Sequence, residues 1–201
     1  TPAHCAAEEG NLGTLRALLE AGADTDKQEF GGRTPAHYAA MCRHIDCLRL
    51  LIEAGAHTHK FSRQEKTVFH IAAASGCDDS LRLLVAAGAD IERLEPDITE
   101  CHPNPLVYLA AKNGNAKCLR MLLDMGANTE LVASDSGRIA VHAAAHFGHV
   151  DCLKLLLEAG TDRDKQDCRG CSALHYAAER GHEECLRLLL AGVGVEKDAC
   201  D

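Results

Sequence analysis

Histidine recurs in this chain at one spacing: His4, His37, His70, His142 and His175 each stand three residues after a Thr, Ile or Ser. Imidazole is the side chain best suited to proton transfer near neutral pH, so five in register invite the reading of a catalytic row. Catalysis would need a nucleophile or base beside each ring, and no such partner recurs with them. The row therefore points to a structural position. Cys168-Arg169-Gly170-Cys171 has the spacing of half a zinc site, and His57, His59, Cys101 and His102 offer further ligand types. A closed zinc site needs four converging ligands, and these are scattered along the chain, so neither a metal nor another cofactor is expected. Cys47, Cys118, Cys152 and Cys185 share one position of an apolar helical pattern and read as small buried hydrophobes. The chain has no G-x-x-x-x-G-K-S/T, no H-E-x-x-H and no G-x-S-x-G in a strand-to-helix setting, so no enzyme is expected.

The elements that place these side chains are periodic. Thr34-Pro35-Ala36-His37-Tyr38-Ala39-Ala40 matches Ser172-Ala173-Leu174-His175-Tyr176-Ala177-Ala178, with relatives at Thr1, Thr67, Ile139 and near Pro105. A second landmark falls at Gly10, Arg43, Gly76, Gly114, Gly148 and Gly181, in steps of 33, 33, 38, 34 and 33. A third repeats in phase as Leu18-Leu19-Glu20-Ala21-Gly22, Leu51-Ile52-Glu53-Ala54-Gly55 and Leu156-Leu157-Glu158-Ala159-Gly160. Thr or Ser before Pro starts a helix, because the hydroxyl caps an orphan N–H and Pro sacrifices no needed donor. Paired Ala keeps that helix thin, and the Gly after it supplies the left-handed turn into a second, antiparallel helix. In that helix Cys47, Leu48, Leu51 and Ile52 fall on one side and Asp46, Arg49 and Glu53 on the other.

With these residues the chain resembles the ankyrin repeat family, whose T-P-L-H-x-A motif and 33-residue period it reproduces over essentially its whole length. The resemblance implies an all-α solenoid of helix-turn-helix units with β-hairpin-like fingers and a concave groove. It also implies that the His row bonds locally and ties fingers together. The repeats are placed at about 1–28, 29–61, 62–99, 100–133, 134–166 and 167–201, one domain, read as a piece of a longer polypeptide. Asn104-Pro105 is expected to cap and restart the fourth first-helix, adding one helical residue. The five-residue excess around Glu95 to Pro103 should lengthen one finger, and Gly192-Val193 should let the last helix fray. Arg43 stands where five repeats have Gly, at a cost of roughly 1 kcal/mol, so Arg43→Gly is expected to stabilise the array. Many ankyrin repeats carry an Asn that a 2-oxoglutarate hydroxylase modifies. Asp26, His59, Glu92, Glu130 and Asp164 stand there instead, leaving Asp26 or His59 as weak substrates at most.

Composition sets the partner class. The 46% hydrophobic content makes a folded chain, and the lack of Trp with only four Phe and three Tyr suits thin, closely stacked helices. A net charge of −9 opposes nucleic acid, and no apolar run is long enough for a membrane span. Eleven Cys spread singly fit reduced thiols, so a cytoplasmic or nuclear, monomeric array is expected. Arg16, Arg49, Arg82, Arg120, Lys154 and Arg187 share one position, with acids three residues before or four after, and read as a solvated ion-pair ladder.

By resemblance, partners sit on the finger tips and the exposed side of the first helices. Carried over position by position, this gives Glu8 and Glu9, then Phe30, Arg33, Met41 and Cys42. Arg63, Lys66 and Ser75 follow, then Lys112 and Asn113. Asp135, Arg138, His146 and Phe147 represent the fifth repeat, and Arg169, Glu179 and Arg180 the sixth. Seven of these are basic and four acidic, a surplus of three positive charges in a chain of −9. The expected function is an adaptor or scaffold that binds an acidic or amphipathic segment of another protein, anchored at Phe30, Met41 and Phe147. The same repeats would also serve as the substrate-docking part of a larger enzyme or channel.

Overall fold

A computed structural model describes residues 1–63, 66–88, 104–133 and 136–191, and it contains twelve helices among them. They alternate between two layers. The first helices are α1 (Pro2–Glu8), α3 (Pro35–Met41), α5 (Val68–Ser75), α7 (Leu106–Lys112), α9 (Ala140–Phe147) and α11 (Ala173–Arg180). The second helices are α2 (Leu12–Glu20), α4 (Ile45–Glu53), α6 (Asp78–Ala86), α8 (Ala116–Asp124), α10 (Val150–Glu158) and α12 (Glu183–Ala191). Each first helix packs on its own second helix and on the next first helix, and the second helices meet one another less closely. The result is the expected helical solenoid.

Helices of seven to nine residues are too short to persist alone in water, so the array holds them by stacking. The interface between first helices is built from alanine: Ala39, Ala40, Ala72, Ala73, Ala110, Ala111, Ala144 and Ala145 are wholly buried. A methyl side chain lets neighbouring backbones approach, and the second helices fill the remaining width with Leu48, Leu51, Leu81, Leu84, Leu119 and Leu122. Cys47, Cys118, Cys152 and Cys185 are buried among them. Burial pushes their thiols up, Cys118 to about 11 and Cys152 to about 12, so they stay protonated packing groups.

Every first helix ends in a left-handed residue where the spacing places one. Gly10, Gly76, Gly114, Gly148 and Gly181 have φ between 68° and 72°, and Arg43 has φ 62°, the single non-glycine residue with positive φ among those described. The fourth repeat corrects the sequence reading. Pro105 itself takes the cap position and α7 begins at Leu106, so Asn104 is not the cap and no helical residue is added. Proline cannot cap with a side chain, but its fixed φ of −51° sets the extended entry.

Four of the described fingers are tight hairpins. Glu29 N–H donates to Arg33, Ser62 to Lys66 and Asp167 to Cys171, each across four residues. In the fifth finger Ala133 pairs with Arg138 across five, which places the extra residue of the 34-residue step at that tip. Neighbouring fingers join through Arg63 N–H to the Gly31 carbonyl at 2.9 Å and Cys168 N–H to Ser136 at 3.1 Å. The Glu95 to Pro103 insertion and Gly192-Val193 lie outside the described residues.

Candidate functional site

The histidine row is a set of rivets. Thr34 N–H donates to His37 Nδ1 at 3.1 Å, so that nitrogen carries no proton and the other must. His37 Nε2 then donates to the Lys66 carbonyl of the next finger, 3.1 Å away. His4 reaches Arg33 and His142 reaches Lys165 in the same way, each at 2.9 Å. His70 and His175 repeat the local bond from the preceding cap residue. Burial lowers the pKa of His37 and His142, and with Lys66 and His37 nearby it brings His70 to about 4. Both ring nitrogens of His4, His37 and His142 are committed to holding helix to finger, so those rings have no free nitrogen to take up a proton.

A second polar row, which one repeat read alone does not disclose, ties the turns. At the start of the second helices His44 Nε2 donates backward to the Glu8 carbonyl, His149 to Lys112 and His182 to His146, at 3.0 to 3.1 Å. Asn115 does the same to Ala73 and Ala74. Each lies flat on the glycine of the repeat before it. A Cβ on Gly10 would stand 2.5 Å from the His44 ring, and one on Gly148 2.6 Å from His182. Gly10, Gly76, Gly114 and Gly148 are therefore required twice, for backbone sign and for contact, and Gly181 for backbone sign alone. The third repeat has Cys77 at this position, and a thiol cannot make the backward link. Arg43 fills that gap from the other side, donating through Nη2 to the Ser75 carbonyl. Its departure from glycine is thus compensated at the one junction among those described that lacks the imidazole or amide.

On the back of the array the ion-pair ladder does not form as expected. Arg187 pairs with Glu183 at 2.5 Å and Glu184 at 3.4 Å. Arg16, Arg49, Arg82, Arg120 and Lys154 are exposed and make no ion pair with a described residue. Long side chains in open water lose more rotamer freedom than an exposed pair returns. Inter-repeat links made by carboxylates lie instead in the loops that follow the second helices. Asp26 accepts the His57 N–H and Glu130 the Asp162 N–H, each at 2.9 Å. These are two of the positions where the resemblance implies an Asn, and both carboxylates are occupied.

The residues proposed for a partner divide into two groups. On the second and third fingers Phe30 is 86% exposed with the Arg63 guanidinium 4.4 Å from its ring centroid. Beside them a pocket of about 170 Å³ opens between repeats two and three, lined by Arg33, Met41, Ser62, Lys66, Ile71, Ala74 and Ser75. Four of those seven, Arg33, Met41, Lys66 and Ser75, are sequence candidates that the fold brings together. Cys42 is half-buried at the end of α3, where burial and then Glu8 and Glu9 raise its thiol.

On the fifth and sixth fingers the cations are already engaged. The Asp167 side chain is buried to 1% exposure, and it accepts the Tyr176 hydroxyl and the Arg169 and Cys171 N–H groups. Arg138 and Arg169 stand 3.6 and 3.9 Å from the same carboxylate, and Arg138 lies over the Tyr176 ring at 4.5 Å. Burial pushes Asp167 up, but those donors outweigh it and hold its pKa at about 2. His146 packs edge-on against Tyr176 and Phe147, 5.4 and 4.8 Å between centroids, leaving Phe147 about half exposed. Lys112, Asn113, Glu179 and Arg180 line the same helix ends, none of them drawn into a catalytic cluster; Asp135 lies outside the described residues.

Among the described residues no group of three His, Cys, Asp or Glu converges on a metal position, and no helix is long and apolar enough to cross a membrane. His57 bonds Asp26 and His59 stacks on Phe69, so neither is directed at the Cys168 and Cys171 pair. Cys101 and His102 lie outside the described residues.

Comparison with known proteins agrees with this geometry. The family model described as ankyrin repeats in three copies matches residues 3–95, 69–167 and 107–201. A search of curated proteins finds no match. Among solved structures, an ankyrin repeat domain from Acinetobacter baumannii AYE aligns with TM-score 0.79 and 26% identity over 94% of this chain and 96% of that one. The ankyrin repeat domain of Bcl-3, a member of the IkappaB protein family, aligns with TM-score 0.77 and 26% identity over 95% and 85%. A chain from the complex of a predatory endopeptidase of Bdellovibrio bacteriovorus with an immunity protein has the same fold, at TM-score 0.81 and 22% identity over 96% and 98%.

Proposed function

The chain belongs to the ankyrin repeat family, and from that premise we propose that it is an adaptor or scaffold module that holds a segment of a partner protein along its finger tips and first helices. Ankyrin repeat domains are typically interaction modules without catalytic activity, and the histidines here are spent on rivets. The observation that carries the reading is the exposure of Phe30, Met41 and Phe147 at the fingers and first-helix ends, joined by Phe61 and Val132 beside the fingers, whereas of the second helices only Leu190 and the cap residue Met125 leave a large apolar side chain exposed among the described residues. Apolar side chains kept in water at the tips of rigid elements are what an interface core requires. An acidic or amphipathic segment suits the surplus of basic residues beside them. An intracellular setting suits the eleven Cys, which are spread singly through the helical pattern. Docking of a substrate for an enzyme or channel domain elsewhere in a longer chain would use the same surface.

The test is affinity capture with the array and with a Phe30→Ala, Arg63→Ala, Phe147→Ala triple variant, followed by cross-linking of any protein retained. A specific partner should cross-link to the finger face and be lost from the triple variant. A partner retained equally by both, or cross-linked to the second helices, refutes this placement.

A further inference from the structure

Resting on the interaction-module reading, we propose that the groove is polarised: an acidic side chain of the partner enters the pocket between the second and third fingers, and its apolar stretch runs toward Phe147 in the fifth repeat. Three observations lead there. Among the described residues the charged groups that line the pocket are Arg33 and Lys66, both partly exposed, and none of the described lining residues is an acid; Glu65, next to Lys66, lies outside the described residues. None of Arg33, Lys66 and Arg63 makes an ion pair with a described residue. Glu29, the nearest acid on that finger, already spends its oxygens on the N–H groups of Gly31 and Arg33, at 2.7 and 3.3 Å.

The apolar part of the lining is Met41, Ile71 and Ala74, and Ser62 and Ser75 add polar lining. A volume of about 170 Å³ takes one side chain, not a helix. A carboxylate on a short aliphatic stem suits both kinds of lining: its methylenes meet the apolar residues and its oxygens face the two cations. An aromatic or purely apolar side chain would leave both cations facing a dry contact, and a basic one would be repelled.

The other end of the groove offers the opposite chemistry. Arg138 and Arg169 are numerically the same resource, but they share the Asp167 carboxylate, which offsets one of their two charges, and Tyr176 lies under both guanidinium groups. What remains open there is Phe147, stacked at 6.2 Å on His149 and edge-on to His146. The sequence counts seven basic residues along the face without distinguishing them. Of the seven, Arg138 and Arg169 on fingers five and six face a carboxylate, Lys112 and Arg180 stand singly at helix ends, and only Arg33, Arg63 and Lys66 cluster without an ion pair to a described residue, which gives the partner a direction.

Two fluorescent 14-residue peptides test the proposal by anisotropy against the whole array. One carries three Glu followed by a Leu- and Phe-containing stretch, and the other has Lys in place of Glu. Binding of the acidic peptide should weaken about tenfold or more in an Arg33→Glu, Lys66→Glu variant and weaken with added NaCl. It should change less than about twofold in Arg49→Glu on a second helix, and by less in Arg180→Glu than in the pocket variant. Circular dichroism confirms that each variant is folded, and Arg33→Gln, Lys66→Gln gives an intermediate loss that separates charge from misfolding. Equal loss in the Arg180 variant, or tighter binding of the Lys peptide, overturns the polarity. If neither peptide binds while a captured protein still cross-links to the finger face, the polarity falls and the module reading stands. If no specific partner is captured either, both fall.

Discussion

Arg43 and Cys77 should behave as one unit, and a double-mutant cycle measures it. Arg43→Gly alone removes a left-handed arginine, worth roughly 1 kcal/mol, and also removes the bond to Ser75, worth about 0.5–1.5 kcal/mol. The two nearly cancel, so the single change should move stability by less than about 0.5 kcal/mol, which revises the gain expected from the spacing alone. Cys77→His alone should destabilise. By the geometry of Gly10 and His44, a Cβ at position 43 would stand within 3 Å of the new imidazole and force it outward. Together the changes should rebuild the link made elsewhere: the ring lies on the glycine introduced by Arg43→Gly and donates to Met41, the counterpart of Glu8. A coupling of about 1–2 kcal/mol in favour of the double variant is expected from urea denaturation of the four proteins. Additivity within about 0.3–0.5 kcal/mol would refute the claim that glycine and the following repeat's imidazole are required jointly.

Glycines on the two kinds of turn should differ. Gly148→Ala meets both a φ of 72° and the His182 ring, and should cost clearly more than Gly160→Ala, which has φ 81° and open space; the latter should cost only about 1 kcal/mol in thermal unfolding. Acid should weaken the array in two windows. His70 has a folded pKa of about 4 against an ordinary value of 6.5, so the unfolded chain binds more protons between them. That contribution is complete above pH 6.5 and lost as pH falls toward 4, with burial-lowered His37 and His142 adding in the same direction, and urea midpoints between pH 8 and 4 should record it. Asp167, at about 2 against 3.8, adds a second loss between about pH 4 and 2. In Asp167→Asn the starting stability should be lower and that second loss absent, as thermal melts at pH 5, 3 and 2 would show.

The period, the helix pairs and even the left-handed Arg43 are legible in the sequence because they are local: cap chemistry, alanine pairs and turn glycines act within one repeat. The His row is also within reach, since Thr34 and His37 are three residues apart. Contacts between repeats are not. The His44, Asn115, His149 and His182 row bonds about 36 to 42 residues back, and nothing in one repeat announces its acceptor. The Arg16 to Lys154 ladder fails for the converse reason: helical spacing allows those pairs, but exposure removes the incentive to form them. Asp167 reads as an ordinary finger residue until the fold places Tyr176, Arg138 and Arg169 around it. The same event sorts seven basic candidates into paired and unpaired sets, which spacing cannot do.

Hydrogen exchange of the array with and without its captured partner tests the central claim most directly. The account predicts slowed exchange on fingers two and three and at the ends of α3, α5 and α9, with the second helices unchanged. Protection confined to α2, α4, α8 or α10 would contradict it.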